Sequence, residues 1–242
     1  MSSPAAGPAR PASAPIAAIC GPLEAIYGRF TLVADALTEA AALLPSRCAG
    51  WTVTDVLYHQ LLDARRALVT FASPAGREPD TDAVSYWRPY APGSGDPVAA
   101  GGDGAARHAR HVRIVASAYP VEFLAGEWRE TAAAAVRAAR ACTYQVVATQ
   151  GRALRTEDFI ATLVFEAAIH YLDITVALPA AAPADPAALA LVRDVLGELA
   201  GRPFPAEWDD VACALKGTGR IPVSVADSAA LGPLAGRLPL LG

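Results

Sequence analysis

Phe159-Ile-Ala-Thr-Leu-Val-Phe-Glu-Ala-Ala-Ile-His-Tyr-Leu-Asp173 decides how this chain is read, because it sets Glu166 and His170 one helical turn apart in a stretch otherwise too apolar for a solvated face. Burying a carboxylate and an imidazole is costly unless something pairs with them, and a divalent cation suits one oxygen and one nitrogen donor. The pair alone also fits a hydrogen-bonded i,i+4 contact within a core. A third donor decides for the cation. The chain has four histidines, His59, His108, His111 and His170, and only His59 shares the same setting, well inside a capped apolar helix. The expected metal ligands are His59, Glu166 and His170.

Working outward, helix signals dominate the first 180 residues. Ile19, Leu23, Ile26, Phe30, Val33 and Leu37 recur at helical spacing before Pro45 ends the segment. Thr52-Val-Thr-Asp55 opens a second helix with a capping-box pattern and carries His59 before ending near Phe71. A third stretch is expected from about Val121 to Val147, and a fourth from near Thr156 to before Pro179. Four helices with cation ligands on two of them describe a bundle with an interior site.

The boundaries follow from composition. Residues 1–14, rich in Pro, Ala and Ser, read as a disordered tail without the charged and apolar regions of a signal peptide. The bundle spans 15–180, interrupted by a glycine-, proline- and acid-rich insert at 73–104 around Tyr86-Trp-Arg-Pro-Tyr90, a possible lid or pocket wall. After a Pro/Ala linker (179–186), residues 187–242 read as a small α/β subdomain with a strand at Ile221–Val225. The fold class is therefore mainly α, a four-helix bundle with a small C-terminal appendage.

The 53% hydrophobic content is ample for a core, and a net charge of −4 without a lysine or arginine stripe argues against nucleic acid or an anionic membrane as partner. Glu166, His170 and Asp173 make a membrane span over 159–178 costly. Cys20, Cys48, Cys142 and Cys213 lie far apart with no C-x-x-C pair, which predicts reduced thiols and a cytoplasmic setting; no role is assigned to them. Arg107-His-Ala-Arg-His-Val-Arg113 reads as a solvated face, Asp63, four residues after His59, as an exposed acid beside Arg66 in preference to a buttress of that ring, and Trp51 as packing at a helix start.

Cys48-Ala-Gly-Trp-Thr-Val-Thr-Asp-Val-Leu-Tyr-His59 and Glu166-Ala-Ala-Ile-His-Tyr-Leu-Asp173 resemble the two signature segments of the mycothiol-dependent maleylpyruvate isomerase family, part of the DinB-like metalloprotein superfamily. The resemblance covers most of the chain in order and spacing. It implies a DinB-like four-helix bundle holding a divalent metal, usually zinc, through positions that are His59, Glu166 and His170 here, with mycothiol as cosubstrate. It further implies that an arginine following a glycine in the C-terminal part, matched by Arg220, helps bind thiol or substrate.

Two imidazoles and one carboxylate leave a bound Zn²⁺ an open position, the arrangement of a catalytic site. A thiol entering it would ionise and then either attack an electrophilic carbon, which is S-transfer, or add reversibly to a double bond, which is cis–trans isomerisation. Asp173 is the candidate to orient an imidazole or accept a proton, and Arg220 to clamp a carboxylate. The expected partners are a small-molecule substrate and a low-molecular-weight thiol, in a monomer or homodimer, with S-transfer as first reading. A non-haem iron site and a non-catalytic metal-binding bundle are the competing ones. A deep pocket lined in part by the C-terminal segment would favour an enzyme.

Overall fold

Thr52 starts the helix that presents His59. Its side chain accepts a hydrogen bond from the Asp55 backbone N–H while the Asp55 carboxylate accepts from Thr52 N at 2.8 Å, a reciprocal capping box. In the computed structural model, which describes residues 16–92, 94 and 103–241, this helix is α3 (Val53–Phe71), preceded by α1 (Ile16–Ala36) and the single turn α2 (Glu39–Ala42). Further along lie α4 (Asp103–Ala116), α5 (Val121–Ala141), the strands β1 (Val146–Thr149) and β2 (Arg152–Arg155), and α6 (Thr156–Thr175). The expected 1–14 tail falls outside the described residues.

The bundle consists of α1, α3, α5 and α6, with α1 and α3 each packed on both α5 and α6. The apolar stripe expected in α1 is the buried one: Leu23, Ile26 and Phe30 are fully enclosed and Val33 nearly so. Trp128 of α5 packs against Tyr27 and Phe30 and donates its indole N–H to Thr31 Oγ1 at 3.1 Å. Helix α6 is apolar around its whole circumference because α1, α3 and the C-terminal helix α7 (Pro186–Ala200) cover it on several sides. That encirclement buries His170 and half-buries Glu166. By length and composition α1 is also apolar enough to cross a membrane.

The structure refines the sequence expectations for this region and in places departs from them. The third helix ends at Ala141, not Val147, and residues 146–155 form an antiparallel hairpin whose tip, Gln150 (φ 49°) and Gly151 (φ 79°), turns in the left-handed region. The insert is partly ordered against that hairpin: Pro74 bridges Val147, Thr81 bridges Leu154, and Ser85–Tyr90 form a 3₁₀ turn. The arginine-laced stretch is the helix α4, packed on α3 through the buried Val112 and Ala116.

The C-terminal segment is helical among its described residues, with α7, α8 (Asp210–Gly217), α9 (Val225–Leu231) and a 3₁₀ turn at Gly232–Arg237. No strand forms at 221–225, so the α/β expectation for this segment is corrected. Ser224 instead caps α9 through a second capping box with Asp227, which also accepts from Trp208 Nε1 and Lys216 Nζ at 2.7 Å. Gly219, at φ 72°, turns the chain after α8 so that Arg220 N returns to Leu215 O at 2.8 Å; a Cβ there would lie 3.0 Å from Pro239. The turn aims Arg220 at α6.

Candidate metal centre

Three side chains chosen from distant parts of the sequence meet between α3 and α6. His59 Nε2 lies 3.1 Å and His170 Nε2 3.3 Å from the same oxygen, Glu166 Oε1, and the two rings stand nearly perpendicular with centroids 4.8 Å apart. One donor atom from each residue falls within 4.8 Å of the other two. Ligands held at about 2.0–2.1 Å in a tetrahedral arrangement are themselves roughly 3.3–3.4 Å apart, close to the two nitrogen–oxygen separations seen here.

Behind His170 is a buried polar chain. Its Nδ1 is 2.9 Å from Asp173 Oδ2, and Asp173 is fully enclosed. Arg220 grips this carboxylate bidentately, Nε to Oδ1 and Nη2 to Oδ2, each at 3.2 Å, and donates Nη1 to Thr218 O at 3.1 Å. Cys48 completes the group, its thiol donating to Asp173 Oδ2 at 3.1 Å and lying 3.6 Å from His170 Nδ1. The loop carrying Cys48 is itself tied to the end of α6 by Arg47 N donating to Asp173 O at 3.0 Å.

The electrostatics follow from these contacts. Burial works to raise the Asp173 pKa, but His170 and Arg220 outweigh it and hold the carboxyl well below the usual range. Burial likewise opposes ionisation of Glu166, and the hydrogen bonds from His170 and His59 reverse its sign. For His170, burial favours the neutral ring, yet Asp173, Cys48 and Glu166 together lift its pKa well above the ordinary histidine value. With both ring nitrogens facing carboxylate oxygens, the metal-free ring needs a proton on each. A divalent cation between Glu166 and the two imidazoles would supply positive charge in place of the proton on Nε2.

His59 is backed differently. Trp51 stands edge-on to its ring at 5.4 Å, and its Nδ1 faces His108 Nε2 at 3.2 Å. Burial, followed by His59 and His111, lowers the pKa of His108, which keeps that imidazole neutral near pH 7. Asp63 points at the site as well, Oδ2 3.5 Å from His59 Nε2, and burial pushes its pKa up to about 6 against the opposing pull of His59.

The structure thus brings together His59, Glu166, His170, Asp173 and Arg220. Arg220 reaches the site with three of its five N–H groups donating within the protein, two to Asp173 and one to Thr218 O. Asp63 is corrected from an exposed acid to a neighbour of His59. His111 packs beside Tyr58, whereas His108 enters the site. The inward stripe His108, Val112, Ala116 at four-residue spacing was the signal for His108; Cys48 had none beyond its place in the first motif. A cavity of about 800 Å³ extends from these residues, lined among others by Trp51, Trp87, Arg152, Phe165, Arg220 and Leu241, so the bundle, the insert and the C-terminal segment all contribute.

Residues 23–175 match the family described as mycothiol maleylpyruvate isomerase N-terminal domain. The matched region contains all of α3 and α6, hence His59, Glu166, His170 and Asp173, and stops before the segment that supplies Arg220. No curated protein and no solved structure matches the chain at a significant level.

Proposed function

The chain belongs to the mycothiol maleylpyruvate isomerase N-terminal domain family, and from that premise we propose that it is a metal-dependent enzyme that joins a low-molecular-weight thiol, mycothiol, to an electrophilic small molecule. His59, Glu166 and His170 hold the divalent cation, zinc by donor chemistry. The observation that carries the reading is the convergence of two imidazole Nε2 atoms on one carboxylate oxygen at the wall of an 800 Å³ cavity. A structural metal site would be sealed by a fourth protein ligand, and a cavity of this size is in the range of small-molecule sites.

Bound there, the cation would supply the positive charge that ionises a thiol near neutral pH. The protein's own residues do the rest. Asp173 holds His170 in one tautomer and orientation, and Arg220 holds Asp173. Asp63, with Oδ2 3.5 Å from His59 Nε2, is the carboxylate placed beside the site to take the thiol proton. Trp51 and the aromatic residues of the insert limit water at the sulfur. In S-transfer a carbon–sulfur bond forms as a leaving group departs with its electron pair. In the second reading, cis–trans isomerisation, the sulfur adds to a double bond, the resulting single bond rotates, and the sulfur is expelled; the family description is equally consistent with this branch.

Metal analysis of the purified chain tests the site. About one divalent cation per chain is expected in the wild type, with loss in His59→Ala and in His170→Ala. A mass-spectrometric screen for thiol adducts against a panel of electrophiles, run beside a maleylpyruvate isomerisation assay, separates the branches. A chain that retains no divalent cation and has no affinity for any thiol would end this reading, and iron with oxygen uptake would replace it by a non-haem iron enzyme.

A further inference from the structure

The carboxylate oxygen behind His170 collects two protons from groups that also bind metals. Asp173 Oδ2 lies 2.9 Å from His170 Nδ1 and accepts from the Cys48 thiol at 3.1 Å, while the sulfur and that nitrogen are 3.6 Å apart. One sulfur, one nitrogen and one oxygen donor thus fall within 4.8 Å of one another, a second set beside the one made by His59, Glu166 and His170. His170 is common to both sets. It offers Nε2 to the first and Nδ1 to the second.

Ligands of a tetrahedral zinc ion, with sulfur at about 2.3 Å and nitrogen and oxygen at about 2.0–2.2 Å, stand roughly 3.4–3.6 Å apart. The sulfur–nitrogen separation already has that value, and the oxygen would recede by roughly half an ångström as bridging hydrogens give way to a larger ion. Arg220, bidentate on the same carboxylate, is the charge such an ion would meet. Proton exchange offsets it. The metal-free ring carries a proton on each nitrogen and the thiol carries one; a divalent cation on Nδ1 and sulfur sends those two protons to solvent, so the guanidinium faces an unchanged net charge.

We propose that Cys48 Sγ, His170 Nδ1 and Asp173 Oδ2 form a second cation position, one that takes a thiophilic divalent ion and competes with the first. Its opening is the half-buried Cys48, which lines the cavity together with His170. The thiolate is the soft donor that selects such an ion, whereas the first set has only imidazole and carboxylate. A neutral imidazole has one lone pair, so an ion on Nδ1 leaves a proton on Nε2, facing Glu166. Capture behind His170 therefore releases the ion held in front of it. The position stands on its own three donors and needs no thiol-transfer chemistry.

The test loads the full chain with Cd²⁺ beside a non-thiol reductant and reads the ultraviolet sulfur-to-cadmium charge-transfer band, with cadmium NMR as a second measure of sulfur ligation. The wild type is expected to show the band, and His59→Ala, which dismantles only the first position, to keep it. Cys48→Ser, which preserves a donor for Asp173, should abolish it, and in the His59→Ala background should weaken Cd²⁺ at least about tenfold. Thermal unfolding checks that each variant folds, with Cys48→Ala as the alternative. In the zinc-loaded chain, Cd²⁺ should release zinc to a chelating dye more readily from the wild type than from Cys48→Ser. No band in the wild type, a band that survives Cys48→Ser and so belongs to Cys20, Cys142 or Cys213, a band lost in His59→Ala, or equal zinc release from the two chains each overturns the proposal. Full retention of zinc by His59→Ala would instead overturn the first position and spare this one.

Discussion

The two histidines of the candidate centre face the same carboxylate oxygen and are supported in opposite ways. His170 is backed by a buried ionic chain, Asp173 and Arg220, that runs from the bundle into the C-terminal segment. His59 is backed by one neutral imidazole, His108, on a helix that lines the cavity. The difference teaches that one imidazole is fixed by interactions on which folding itself depends, while the other is set by a contact that only the site uses. Substitutions behind the two rings should therefore separate stability from ligand chemistry.

The largest effect is expected at Asp173. Asp173→Asn leaves the Arg220 guanidinium buried opposite a neutral amide, and removing one member of a buried ion pair costs about 3–5 kcal/mol. Urea unfolding of the metal-stripped chain would measure it. A loss below about 1 kcal/mol would mean that the chain behind His170 carries no more stability than the contact behind His59.

The pH dependence sharpens the same point. The Asp173 carboxyl is depressed, so its contribution is present above its unfolded value of about 3.9 and is lost as pH falls through the folded value. The His170 shift has the opposite sign: its contribution is complete below about 6.5 and is lost as pH rises through the raised folded value. In the metal-stripped chain, the stability difference between wild type and Asp173→Asn should therefore peak in mildly acidic solution and shrink on both sides. A difference that grows steadily toward alkaline pH would contradict the assignment.

Arg220→Met should cost less, about 2 kcal/mol, because Asp173 keeps His170 and the Cys48 thiol as partners. Its unfolding curve should also report whether the C-terminal helices separate from the bundle. A biphasic transition is expected only if this ion pair is a main tie between them, since α6 and α7 also share an apolar contact.

How much of this was visible in the residues depends on the range of the interaction. Glu166 and His170 declare themselves because helical spacing is local, and His59 does so because Thr52 and Asp55 cap its helix within a few positions. The four bundle helices follow from the same local signals. The hairpin was legible in part: Val146 and Val147 are β-branched and Gln150-Gly151 is a turn, but the alanine-rich helix before them extends the helical pattern past its true end. Arg220 behind Asp173 depends on tertiary packing that no local spacing encodes, whereas Asp63 beside His59 is an i,i+4 neighbour whose spacing was legible and whose burial was not. The supposed strand at 221–225 failed because Ser224 and Asp227 form a capping box, a local signal that outranks the β-branched valines around it.

The smallest and most specific effect is expected at His108. If His59 presents a bare Nε2 to a cation, its proton sits on Nδ1 and needs an acceptor, which the neutral His108 Nε2 supplies at 3.2 Å. His108→Phe removes the acceptor and keeps an aromatic ring near Trp51; it should lower zinc affinity about tenfold, read by competition with a chelating dye. The cost in unfolding free energy should stay within about 0.5 kcal/mol, because the side chain lies against the cavity and not in the core. His108→Gln, which restores an acceptor, should recover most of the affinity. If the phenylalanine variant instead unfolds as readily as Asp173→Asn does, the contact behind His59 is structural too, and the two halves of the centre are supported alike.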